Sequence, residues 1–116
     1  MTVDQEDRAD ALFHALADRT RRDIMRRALA GEHSVSALAT KYDMSFAAVQ
    51  KHVVVLEKAG LIHKRRSGRE QLASGDVTAV RSVAAMLAEL ELLWRGRIGR
   101  IDELIAIENK ETEQCP

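Results

Sequence analysis

From Val77 to Ile105 the chain carries one stripe of residues spaced three or four apart: Val77, Val80, Ala84, Leu87, Glu91, Trp94, Ile98, Ile101 and Ile105. Only Glu91 is polar, and no proline interrupts the run. This spacing marks one face of an α-helix. Val83, Met86, Leu90, Leu93 and Leu104 widen the apolar surface. A helix from 76 to about 108, capped by Asp76, would be on the order of 50 Å long at about 1.5 Å per residue. A chain of 116 residues cannot cover that length with its own core. The apolar excess is therefore expected to bury against a second copy of the chain. Gly96 and Gly99 each weaken such a helix by about 1 kcal/mol relative to Ala. They mark a kink, a break or the close approach of a partner backbone. The polar tail from Asn109 onward is expected to fray.

The rest of the chain also favours helix. Ala, Leu, Arg and Glu dominate, and aromatic residues make up only 3%. Ala9, Leu12, Phe13, Leu16 and Ala17 define an amphipathic helix over 5–17. Asp18 is placed to cap a second helix that buries Ile24, Met25, Ala28 and Leu29 and ends at Gly31. On its other face, Arg19, Arg21, Arg22, Arg26 and Arg27 are expected to pair with Asp18 and Asp23 as ordinary surface salt bridges. Ser34 caps a short helix with Val35, Leu38, Ala39 and Tyr42 inward. The turn Tyr42-Asp43-Met44-Ser45 leads into a helix from Phe46 to Ala59 that buries Val49, Val53 and Leu56 and stops at Gly60. Two helices joined by a turn this short outline a helix-turn-helix over 34–60. Leu61 to Arg66, the turn Ser67-Gly68-Arg69 and the return strand Glu70 to Ala73 then read as a β-hairpin, or wing, over 61–73. The fold class is mainly α with a small β-hairpin, in one domain spanning 1–116.

Charge is balanced overall, with 18 basic and 18 acidic residues. The balance hides segregation. Residues 45–70 hold six basic residues against two acidic, a net of +4. Residues 1–10 carry a net of −3 and residues 101–116 a net of −4. The basic stretch coincides with the helix-turn-helix and wing, the local footprint expected for a phosphate backbone.

Within that stretch, Ser45 and the free N–H groups of the first helical turn can hold a phosphate. The small Ala47 and Ala48 allow close approach to DNA. Gln50 can pair bidentately with adenine, and Lys51 can reach guanine or phosphate. Phe46 either touches a thymine methyl or folds back over the turn as a staple. In the wing, Lys64, Arg65, Arg66 and Arg69 surround a Gly turn and are suited to the minor groove or backbone, where a bare run of charge would be a solvated tip. His52 shares a face with Val49, Val53 and Leu56 and is expected to be half-buried and hydrogen-bonded.

Other function classes find little support. His14, His33 and His63 lie apart from one another and from Cys115, the single cysteine, so neither a metal nor a disulfide is expected. No phosphate-binding loop, nucleophile elbow or His-Glu-x-x-His motif occurs, so neither catalysis nor a cofactor is expected. No apolar run approaches a membrane span, and the acidic start lacks the core of a signal peptide, so the cytoplasm is the expected compartment.

The segment Leu12-Phe13-His14-Ala15-Leu16-Ala17-Asp18-Arg19-Thr20-Arg21-Arg22 resembles the opening of ArsR-type (arsenic-repressor-like) winged helix-turn-helix transcriptional regulators. Met44 to Leu56, followed by Glu57-Lys58-Ala59-Gly60-Leu61-Ile62, resembles their recognition helix and its exit. Arg65 to Arg69 looks like their wing. The resemblance spans roughly residues 10–73, with the long last helix in the expected place. It implies a bacterial homodimeric repressor, often autoregulatory, on a short inverted repeat in promoter DNA. It implies dimerisation through the first and last helices, with Leu12, Phe13, Val83, Leu87, Leu90, Trp94, Ile98 and Ile101 at the interface. Arg19 stands where the family usually has proline. His33-Ser34-Val35-Ser36-Ala37-Leu38 lacks the cysteine of the family's third-helix metal site, and the last helix has no histidine up to Ile107. The chain is therefore similar to the metal-free branch. Two alternatives stay open: a sensor with an unrecognised effector site at the dimer interface, and a winged-helix module for protein–protein assembly.

Overall fold

The computed structural model describes residues 2–114; Cys115 lies outside them. Elements follow one another as α1 (Val3–Leu16), α2 (Arg19–Ala30), β1 (His33–Ser34), α3 (Val35–Ala39), α4 (Phe46–Lys58), β2 (Ile62–Ser67), β3 (Glu70–Gly75) and α5 (Val77–Gln114). They form two compact units, the first ending at Val83 and the second beginning at Ala84.

Helix boundaries in the first unit are set by short polar side chains. Asp18 accepts from Arg21 N at 3.0 Å, Ser34 from Ala37 N at 3.0 Å and Ser45 from Ala48 N at 3.1 Å. Each satisfies a donor that the helix itself cannot. Asp76 does the same for Thr78 N at 2.8 Å, and its other oxygen lies 2.6 Å from His63 Nε2. Thr2 and Gln5 close a capping box at the start of α1, two residues before the expected start of that helix.

The exit from α4 is a complete Schellman motif. Leu61 N donates to Leu56 O at 2.9 Å and Gly60 N to Glu57 O at 3.0 Å. Gly60 has φ 82°, in the left-handed region that suits glycine. The motif turns the chain straight into β2, with Leu61 and Ile62 fully buried.

Strand order is β1-β3-β2, all antiparallel. The wing hairpin runs from Ile62↔Gly75 to Ser67↔Glu70 and turns through Gly68-Arg69. Gly68 takes φ 62° at the first central position, as a type II′ hairpin turn requires. A two-residue strand, β1, was not expected. It pairs His33 with Ala73 and Ser34 with Leu72, and so makes β3 a central strand.

The core of the first unit gathers Ile24, Leu38, Val49, Val53, Leu56, Leu61 and Ile62, each essentially inaccessible. Three details depart from the periodicity. In α1 the buried residues are Ala9, Leu12 and Ala15, while Phe13 is left 41% exposed. Leu29 is exposed, yet it lies along Gly75: a Cβ there would come within 2.7 Å of Leu29 Cδ2. The α2 arginines also act differently from expectation. Asp23 pairs with Arg26 and Arg27, but Arg21 donates to Ala15 O and His14 O, and Arg22 to Leu16 O. These two guanidiniums satisfy the C-terminal carbonyls of α1, because the short Ala17-Asp18 link brings that helix end beside them.

The second unit is helix alone. α5 continues through Gly96 and Gly99 without a break. Leu87, Leu90, Leu92, Leu93, Trp94, Ile98, Ile101, Leu104, Ile105 and Ile107 are all exposed. Arg95 pairs with Glu91, and the Arg97 guanidinium lies 5.9 Å from the Trp94 ring centroid.

Candidate nucleic-acid interface

Three helices fix the direction in which α4 points. Val49, Val53 and Leu56 bury one face against the core. Tyr42 ties the preceding turn to α2 by donating to Asp23 Oδ2 at 2.7 Å, with Arg27 5.8 Å over its ring. Burial and the Asp23 carboxylate push the Tyr42 phenol up to about 12. It stays a donor at neutral pH, and its hydrogen bond and Arg27 hold Asp23 below the ordinary carboxylate value. On the side of α1, Arg21 Nη1 lies 3.3 Å from His52 Nδ1. Arginine can only donate, so His52 accepts at Nδ1. The half-buried, hydrogen-bonded histidine is present as expected.

With one face so anchored, the opposite face of α4 is left open. Ser45, Phe46, Ala47, Gln50 and Lys51 are exposed. Phe46 stands 49% exposed. Ser45 Oγ is occupied by the Ala48 amide, while the Phe46 and Ala47 amides lie at helix positions that lack an intrahelical acceptor. Ala47, Gln50, Lys51, Val54 and Val55 line an open apolar trough of about 430 Å³. The surface therefore offers an amide, a cation, a first helical turn and small side chains that let a partner approach closely.

The four wing cations do not share one environment. Lys64 is half-buried and its Nζ lies 3.3 Å from Glu57 Oε1 of α4. Arg65 meets Glu32 in a two-pronged fork, Nε to Oε2 at 2.8 Å and Nη2 to Oε1 at 2.6 Å. The fork lowers the Glu32 pKa and raises that of Arg65. Arg66 is exposed near the tip, with Nε 3.4 Å from Gly68 O. Arg69 is exposed and makes no ion pair among the described residues. The site residues read from sequence thus fall into two clusters, Phe46-Ala47-Gln50-Lys51 and Arg66-Arg69, with Lys64 and Arg65 drawn onto acidic partners. Glu32 and Glu57 were missed as partners. Glu32 is 33 residues from Arg65 in sequence, and no local pattern connects them.

Of the residues assigned to a dimer interface, Leu12 and Val83 are already buried within the chain. Phe13, Leu87, Leu90, Trp94, Ile98 and Ile101 are exposed. No helix of the described residues is long and apolar enough to cross a membrane. Among those residues, no group of three or more His, Cys, Asp or Glu is placed to hold a metal ion.

Known proteins share this arrangement. Residues 16–65 match the profile of a family described as a helix-turn-helix domain. An HTH-type transcriptional regulator, Rv2034, of Mycobacterium tuberculosis is 33% identical over 103 residues, covering 89% of this chain and 94% of that protein. The crystal structure of an ArsR family transcriptional regulator superimposes with a TM-score of 0.73 at 34% identity, covering 78% of this chain and 93% of that one. A homodimeric winged helix-turn-helix DNA-binding domain from Mycobacterium bovis is 26% identical with a TM-score of 0.62, over 73% of this chain and 80% of that one.

Proposed function

The chain belongs to the ArsR family of winged helix-turn-helix transcriptional regulators, and on that premise we propose that it is a homodimeric repressor that reads an inverted-repeat operator. One observation carries the reading: α4 buries the face of Val49, Val53 and Leu56 and presents Phe46, Ala47, Gln50 and Lys51 outward on consecutive turns. That is the geometry of a recognition helix entering a major groove with its N-terminal turns. Gln50 reads an adenine edge, Lys51 takes a guanine or a phosphate, and Phe46 meets a thymine methyl. Arg66 and Arg69 lie along the neighbouring backbone or minor groove. The exposed apolar stripe of α5, from Leu87 to Ile101, together with Phe13, supplies the surface between two copies. Two recognition helices related by a twofold axis enter successive major grooves about 34 Å apart. The homodimeric relative from Mycobacterium bovis supports this assembly.

A salt-titrated gel shift with the chain's own upstream DNA tests the reading, with a random duplex of equal length as comparison. The operator is expected to bind as one dimer per palindrome and to outcompete the random duplex. Equal affinity for the two duplexes contradicts sequence-specific regulation. A winged-helix module for protein assembly would bind neither.

A further inference from the structure

Arg65 stands on β2 opposite Leu72 of β3, which in turn pairs with Ser34 of β1. Residues opposite one another in antiparallel strands point to the same face, so Arg65, Leu72 and Ser34 form one row across the sheet. Glu32, two residues before Ser34, has the same parity. The Arg65 side chain therefore runs back across β3 to reach Glu32, away from the tip where Arg66 and Arg69 are exposed. Its Nε–Nη2 edge is engaged there by both carboxylate oxygens, at 2.8 and 2.6 Å. A carboxylate held this way offers the two oxygens, spacing and charge that a phosphate offers a guanidinium.

We propose that Glu32 is a built-in competitor for the wing's phosphate contact, a specificity-setting residue that DNA must displace from Arg65. The proposal rests on the wing being part of the interface. While Arg65 is latched, encounters with arbitrary DNA engage only Arg66 and Arg69 of the wing arginines. A docked backbone phosphate near β2 exchanges for Glu32 and recruits the third. Non-specific binding is thereby held down without loss of the cation at the operator.

The experiment measures operator and random-duplex affinity across a salt series for the full chain and for E32Q, E32D, R65A and E32Q/R65A. E32Q is expected to tighten random-duplex binding by roughly three- to tenfold, the size of one charge-assisted hydrogen bond. Its salt slope should steepen by about 0.9 per chain, as for one more phosphate neutralised. E32D keeps the charge but is too short for the fork, so it should tighten binding in the same direction. In the R65A background, E32Q should change affinity by less than about twofold.

Weaker binding by E32Q, with thermal unfolding still cooperative, would overturn the proposal: Glu32 would then be holding Arg65 where DNA needs it. Tightening that persists without Arg65 would overturn it too, as removal of a negative charge alone. The two levels separate through Arg66→Ala and Arg69→Ala. If these weaken binding while E32Q does not tighten it, the competitor role falls and the wing reading stands. If neither alters the salt slope, the wing lies outside the interface and both fall.

Discussion

The two units spend similar residues in opposite ways. Up to Val83, Leu, Ile and Val side chains from four helices and the sheet converge until seven large ones are essentially inaccessible. From Ala84 onward, a helix just as rich in Leu and Ile leaves all of its large apolar side chains between Leu87 and Ile107 exposed. The difference lies in chain return and not in hydrophobicity. Turns at Asp18, Ser45, Gly60 and Gly68 bring apolar faces back onto one another. A single continuous helix has no such turn, so its stripe requires a surface from outside itself.

This contrast can be broken most forcefully in the first unit. Leu56→Ala should cost about 2–5 kcal/mol, the range for emptying a fully buried leucine site. Its urea midpoint should fall by the same amount at low and high protein concentration. A concentration-dependent loss would mean that this core, too, is completed by another molecule.

Trp94→Ala comes next. Trp94 is 57% exposed in the chain, so the substitution should weaken self-association by about 2 kcal/mol, the scale of an interfacial tryptophan. That is about thirtyfold in Kd. Light scattering after size-exclusion chromatography should show dissociation at low micromolar concentration. An unchanged dimer would place the interface elsewhere than on this stripe.

Gln50→Ala should leave the urea midpoint alone, because the side chain is exposed on an anchored helix. It should instead relax base preference at one position per half-site by about 1–3 kcal/mol. Equal weakening on every sequence would remove Gln50 from direct readout. Arg66→Ala and Arg69→Ala should each flatten the salt slope by about 0.9 for every phosphate no longer neutralised.

The smallest effect is with pH. Asp23 is held below its ordinary 3.8 by Tyr42 and then by Arg27. A lowered carboxylate contributes stability that is present above its unfolded pKa and lost as pH falls through its folded one. Urea midpoints should therefore drop below about pH 4, and Asp23→Asn should make that acid limb shallower. An unchanged limb would mean that the Tyr42–Asp23–Arg27 cluster does not form in solution.

Much of this architecture is local and was legible as such. Asp18, Ser34, Ser45 and Asp76 act as caps because capping depends on a side chain and an amide two or three residues on. The hairpin followed from Gly68, and the buried face of α4 from the spacing of Val49, Val53 and Leu56. Features that depend on distant segments were not legible. The strand β1 has two residues, too few to show a period. Arg21 and Arg22 look like surface cations until α1 ends beside them. The +4 stretch is partly offset because Glu32 comes from outside it. In α1, Ala15 is buried beside Ala9 and Leu12 although the apolar spacing did not mark it, because its small side chain adds little to a hydrophobic stripe.

The short strand β1 has one more effect. It reaches only Leu72 and Ala73 of β3. The wing is thus three-stranded at Lys64↔Ala73 and Arg65↔Leu72, on the root side of the tip, and two-stranded at the tip itself, from Arg66↔Gln71 to Ser67↔Glu70. Amides at the root should exchange with deuterium slowly, and those at the tip fast. On the proposed reading, the tip adapts to the width of a groove while the root keeps its aim. Ordering it on a duplex then forfeits the freedom of a few residues, not of a whole hairpin.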